Sequence, residues 1–239
     1  MALALAGAGC APLGPGAAPV AAPAAPAVVE QLAPEPGFTR EQQAVLRSGQ
    51  TVEHAVSFHR HGRSYVGGVS YLLVNAEPRR VFDVLNNLPT LREVLPRTRR
   101  TDVIDRQDDS VRVELEMGND MVSTTYTVFF ALEPAQAASE GHLVRFWLDP
   151  SRPHSIGDVW GFFRATPFHD GRTLVVVGAA VDLGQGLIRM LFETRIQRTI
   201  LRMPRRIRDT IEGPSGLALS RVAAQGQAAP EPPPEPASR

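Results

Sequence analysis

The chain of 239 residues holds 25 basic residues, all arginine, against 25 acidic ones, so no overall field recruits nucleic acid or an anionic membrane, and such a partner requires a local patch. Its single cysteine, Cys10, excludes an internal disulfide framework and a cysteine-built metal site. Once the biased ends are set aside, about one domain's worth of chain remains to bury one core.

Residues 1–10 end in the apolar run Leu3-Ala4-Leu5-Ala6-Gly7-Ala8-Gly9-Cys10. This stretch resembles the tail of a bacterial lipoprotein signal, which would lipidate Cys10 and place the protein in the cell envelope or periplasm. The other reading is an Ala-rich tail with an incidental cysteine on a cytoplasmic protein. Residues 11–38 are mostly Ala and Pro and read as an extended tether that cannot bury itself. Residues 214–239, with Pro230-Glu231-Pro232-Pro233-Pro234-Glu235-Pro236, read as a second such tail. The folded domain is therefore expected over residues 39–213.

Thr39 and Gln42 at capping-box spacing open a helix through Arg47, closed by Ser48-Gly49. A strand over Val52–His59 turns at His61-Gly62-Arg63 into another over Tyr65–Val74. Asn75-Ala76-Glu77-Pro78 then starts a helix with Val81, Phe82 and Leu85 on one side, and Pro89–Leu95 forms a second, stopped by Pro96. Val111, Val113, Leu115 and Met117 alternate with Arg112, Glu114 and Glu116, a strand with one apolar and one wet face. Val122–Leu132, Leu143–Leu148, Val159–Thr166 and Thr173–Val181 continue the series, and strands joined without helices imply an antiparallel meander. A long helix from Leu187 to about Ile211 carries an apolar stripe through Ile188, Phe192, Ile196, Ile200, Met203, Ile207 and Ile211, with a kink expected at Pro204.

This order is that of an α+β helix-grip fold, a curved antiparallel sheet wrapped around one long C-terminal helix, with two short helices after the first strand. Ala76-Glu77-Pro78-Arg79-Arg80-Val81-Phe82-Asp83-Val84-Leu85, then Leu88 to Pro96, Gly161-Phe162-Phe163-Arg164 with Pro167, and Asp170-Gly171-Arg172-Thr173-Leu174-Val175 resemble the SRPBCC, or START-like, superfamily. That superfamily includes polyketide cyclases and coenzyme Q-binding START-like proteins. Leu91 and Phe163 stand where the family often has Tyr and Trp, so specific ligand contacts do not carry over. The resemblance implies the fold and an apolar ligand in an internal cavity.

The alternation sends Tyr126, Val128 and Phe130, then Val144, Phe146 and Leu148, then Phe163, and then Val175, Val177, Ala179 and Val181 inward, opposite Ile188, Phe192 and Ile196. Such a lining suits an isoprenoid, acyl chain or aromatic polyketide, with Gly161 and Ala179 small enough to leave room. The alternative at each position is a filled core. Tyr126, His154 and Asp158 are the candidates for acid-base chemistry if the protein is instead a cyclase or dehydratase. His54, His59 and His61 read as exposed hairpin residues rather than metal ligands, and no nucleotide or cofactor fingerprint appears. Arg195, Arg198, Arg202 and Arg205 form a ridge on the last helix, a solvated face or a surface for anionic headgroups. A protein-interaction module with a filled core would use the same ridge.

Overall fold

The structure, a computed structural model, describes residues 37–95, 97–118, 120, 123–137, 140–184 and 187–213; within these, the side chains of residues 88–90 and 187–191 are not considered. Cys10, the tether up to residue 36 and the tail from residue 214 lie outside the described residues, as does the side chain of Ile188.

Helix α1 (Arg40–Arg47) begins where Thr39 and Gln42 cap each other: the Thr39 hydroxyl accepts from the Gln42 amide at 3.2 Å, and the Thr39 amide donates to Gln42 Oε1 at 2.9 Å. Strands β1 (Val52–Arg60) and β2 (Arg63–Val74) form a hairpin closed by His61 and Gly62, both at positive φ, as a two-residue turn requires. Helices α2 (Pro78–Asn86) and α3 (Leu88–Val94) follow, each with proline in its first turn. Then come β3 (Thr98–Arg106), β4 (Ser110–Gly118), β5 (Ser123–Glu133), β6 (His142–Leu148), β7 (Asp158–Pro167) and β8 (Thr173–Asp182). Among the described residues, the eight strands pair antiparallel in one sheet, in the order β1-β2-β8-β7-β6-β5-β4-β3.

The strand β3 has no counterpart in the sequence reading. Its residues Thr-Arg-Arg-Thr-Asp-Val-Ile-Asp-Arg show no alternation because β3 is an edge strand, irregular between Val103 and Asp105, with Val103 and Ile104 exposed. Ion pairs hold it to β4, Arg100 to Glu114 at 2.9 Å and Arg99 to Glu116 at 3.7 Å. Charged edges of this kind also discourage pairing with a foreign strand.

The long helix is split into α4 (Leu187–Leu201) and α5 (Met203–Glu212), with Arg202 between them. Pro204 has no amide hydrogen and its ring crowds the carbonyl of residue 200, so the ladder breaks there. Helix α5 buries Met203, Ile207 and Ile211 with α2 and α3 against the sheet's inner face, while α4 rests on β2, β1 and β8. Gln197 Nε2 ties α4 to the hairpin, donating to Val56 O at 3.1 Å and Gly67 O at 3.0 Å.

The second expectation to change concerns the wet face. It holds for β4, where Arg112, Glu114 and Glu116 are partly exposed, but β2, β7 and β8 are buried on both sides. Close strand contact at Gly67 shows how tight this region is: a Cβ there would lie 1.9 Å from the Ala179 carbonyl oxygen. Gly67→Ala must push β2 from β8 and is expected to lower unfolding free energy by about 2–4 kcal/mol in urea titrations.

Candidate ligand-binding site

Cross-strand register decides which side chains share the inner face. Val128 pairs with Leu148 and Phe130 with Phe146; Phe163 pairs with Val144 and Val177, and Gly161 with Phe146 and Ala179. Tyr126, Val128, Phe130, Val144, Phe146, Leu148, Phe163, Val175, Val177 and Ala179 therefore lie on one surface, and all belong to a single buried apolar cluster with α2, α3 and α5.

The two ends of this surface differ. At the end covered by α2 and α5, Phe130, Phe146 and Phe163 form a chain of rings with centroids 5.9 and 5.4 Å apart, and Val81, Phe82 and Ile207 close it. Gly161 does not leave the room expected of it: a Cβ there would meet the Phe146 ring at 2.5 Å, so Phe146 already occupies that space. At the opposite end Met117, Ile156 and Val181 are only partly buried, as is Ile196 of α4. Phe192, one turn earlier, is also only partly buried. Incompletely covered apolar side chains thus occur at the ends of β4 and β8, in the loop before β7 and on α4. Met117 was legible only as the last apolar residue of the β4 alternation, and Ile156 only as a lone aliphatic in a polar loop.

Polar groups on this surface are few. The Tyr126 hydroxyl donates to Met117 Sδ, and burial holds its pKa above the usual phenol range, so it remains a protonated donor. His142, at the closed end, accepts the Ala135 amide on Nδ1 at 2.9 Å and stacks on Phe82 at 4.9 Å. Burial and then the Arg79 charge push its pKa down, with Asp83 acting weakly the other way.

The three acid-base candidates are not brought together. Tyr126 faces inward, whereas Asp158 lies on the other face, its Oδ2 accepting from the Tyr65 hydroxyl at 2.7 Å. His154 is exposed in the loop before β7, with Nδ1 against Ile156 O at 2.8 Å. His59 precedes the turn and His61 lies in it, and no group of metal-ligating side chains occurs among the described residues. On α4 and α5 Arg195, Arg198, Arg202 and Arg205 are exposed; Arg205 reaches Thr51 at 2.8 Å and Glu53 at 3.5 Å on β1. An open groove of about 810 Å³ at the β5–β6 connection, lined by Glu133, Pro134, Gln136, Leu143 and Arg164, shares Leu132 with the inner cluster.

No family model and no curated protein matches the chain. Solved structures do. A STAR-related lipid transfer protein fragment from Xanthomonas axonopodis is 13% identical with a TM-score of 0.54, covering 67% of this chain and 98% of its own. Human STARD10 is 10% identical with a TM-score of 0.53, covering 84% and 94%. Human StAR-related lipid transfer protein 5 is 10% identical with a TM-score of 0.51, covering 72% and 92%. At these identities the likeness is one of fold, and the fold is the α+β helix-grip arrangement.

The neutral state of His142 makes stability depend on pH. Because its folded pKa lies below the unfolded value of about 6.5, the unfolded chain takes up the proton first, and stability falls as pH drops below that value. Urea unfolding at pH 7 and pH 5 is expected to show the loss, and His142→Gln to reduce it. A variant with the full pH dependence of the parent would remove His142 as its source.

Proposed function

We propose that this domain binds an apolar small molecule between the inner sheet face and α4. The single observation that carries the reading is the set of partly covered apolar side chains, Met117, Ile156, Val181 and Ile196, packed against an otherwise buried apolar cluster, with Phe192 of α4 partly buried as well. A filled core would bury these side chains, each worth about 1.5–3 kcal/mol when removed from water. An apolar guest supplies that burial instead. The Tyr126 hydroxyl at the same end, its proton donated to Met117 Sδ, keeps an oxygen that can accept one hydrogen bond from an otherwise hydrocarbon-like ligand.

Two of the solved structures of similar fold, the fragment from Xanthomonas axonopodis and human StAR-related lipid transfer protein 5, carry the name lipid transfer protein, which supports a lipid-like guest. An acid-base role for Tyr126, His154 and Asp158 has no convergent geometry behind it.

A polyene fatty acid used as a fluorescent probe is expected to bind at one equivalent. Ile196→Glu places a charge among these side chains and is expected to weaken binding at least tenfold, or about 1.4 kcal/mol, without lowering thermal stability. Unchanged affinity would move the guest elsewhere.

The exposed Arg195, Arg198 and Arg202 lie on α4 and at its end, on the helix that carries Phe192 and Ile196. That placement supports docking on an anionic lipid surface during exchange of the guest. Each arginine near such a surface contributes about 1 kcal/mol. Arg195→Gln with Arg198→Gln is thus expected to reduce partition into phosphatidylserine-containing vesicles by roughly thirtyfold, with little effect on neutral ones. Equal binding of the parent to both vesicle types would count against docking.

A further inference from the structure

Hydroxyl groups from β5 and from the loop before β7 meet on the inner face beside the partly covered Met117. Register sets Tyr126 opposite Leu115 and Thr124 opposite Met117. Residues two apart on a strand share a face, so Thr124 points inward with Tyr126. Tyr126 is buried and Thr124 half-buried. Ser155 arrives from the loop with its Oγ against Thr124 Oγ1, and the next residue, Ile156, packs on the inner cluster. Tyr126, Thr124 and Ser155 thus form a short polar strip running from the buried apolar surface to solvent, where Ser155 is exposed.

What this strip can offer a guest depends on where its protons go. Tyr126 donates to Met117 Sδ, and a thioether is a weak acceptor. Ser155 Oγ donates to the Thr125 carbonyl at 3.5 Å, which leaves Thr124 as the donor in its pair with Ser155. Each of these protons therefore has a partner. The oxygens of Tyr126 and Thr124, by contrast, accept from no group among the described residues. A hydroxyl oxygen has two lone pairs, so the strip presents acceptors. It is also free of nearby charge at its buried end: burial alone raises the Tyr126 pKa, with no charged neighbour contributing.

We infer that the apolar guest carries a neutral hydroxyl group, which donates to the Tyr126 oxygen while the hydrocarbon body lies on the inner surface. The inference rests on the reading of that surface as a ligand site. An ester or a carboxylate would set lone pairs against lone pairs, and a carboxylate would also leave water with no opposite charge beside the phenol. An ammonium group donates but carries a charge that the same burial opposes. A hydroxyl supplies the missing donor without charge. Its own oxygen can also take the Tyr126 proton in place of the thioether, being the stronger acceptor. The polar end of the guest then points along the strip toward Thr124 and Ser155.

The test uses probes that share one fluorescent polyene chain and end in a hydroxyl, a methyl ether or a carboxylate, titrated into the full chain near neutral pH. The ether keeps the oxygen and lacks the donor. The alcohol is expected to bind more tightly than the ether and than the carboxylate. Tyr126→Phe keeps the ring and removes its oxygen, and the alcohol-to-ether affinity ratio is expected to be about tenfold lower in this variant than in the parent. Comparing ratios cancels the different hydration of the two probes. Equal ratios in parent and variant overturn the inference, because the hydroxyl is then held elsewhere. So does a parent that prefers the ether or the carboxylate, a result that needs no variant and leaves the apolar site standing. Failure of all three probes to bind removes the site itself and the inference with it.

Discussion

Burial on both faces of one antiparallel sheet is the condition on which this structure rests. A sheet with one wet face needs a single apolar side chain at every second position, and β4 is built that way. The central strands differ because β5, β6 and β7 each carry two adjacent aromatics: Phe129-Phe130, Phe146-Trp147 and Phe162-Phe163. Successive side chains on a strand point to opposite faces, so every such pair sends one ring to each side. The rings find space because β7 and β8 place small residues beside them. Phe146 lies over Gly161 on the inner face and Phe162 over Gly178 on the outer, each where a methyl group would clash. Inner and outer surfaces are thus coupled through the same strands, and a change in one strand's register would misplace both at once.

On the inner side, the helices divide the surface into a closed half and an incompletely covered half. The short helices α2 and α3 follow β2 directly, so the chain geometry forces them onto one end of the sheet, where α5 packs against them. That end holds the aromatic chain and the neutral His142, whose acceptor role toward Ala135 fits an uncharged ring. The other end is left to α4. There the partly buried Met117, Ile156, Val181 and Ile196 leave apolar surface less covered, with the Tyr126–Met117 contact among them.

Most of this could be read from residue order, and the failures have physical causes. The capping box at Thr39, the His61-Gly62 turn, the prolines opening α2 and α3 and the alternation in β4 are local signals, and local chemistry fixes them. The inner series from Tyr126 to Ala179 followed from alternation alone, because a period of two assigns a face without further information. Strand β3 escaped because edge strands are stabilised by pairing with one neighbour and by ion pairs, neither of which leaves an apolar period. The outer aromatic row escaped because the inward member of each aromatic pair was enough to explain the strand, and its partner was left as surface. Doubled aromatics in consecutive strands were the signal that both faces are covered. The acid-base candidates failed to converge for a related reason: Tyr126 and Asp158 are on strands, and the face each one occupies is set by register rather than by proximity in sequence.

The position of Pro204 then determines what the C-terminal helices do. A continuous helix over residues 187–212 would carry one stripe along the whole sheet and close it evenly. Breaking the ladder at Arg202 separates α5, whose Ile207 and Ile211 are fully packed, from α4, whose Phe192 and Ile196 are not. The strand residues opposite α4 are small on β2 and β8, with Leu201 reaching to within 2.7 Å of where a Gly68 Cβ would stand. The close approach of α4 to β2 at Gly68 and its tie through Gln197 to Val56 and Gly67 hold it toward one side of the curved sheet. Inner residues of β5 and β6 then face α4 across the concavity rather than packing directly on it. A proline two residues into α5 thereby permits the same fold to combine a solid core at one end with uncovered apolar surface at the other.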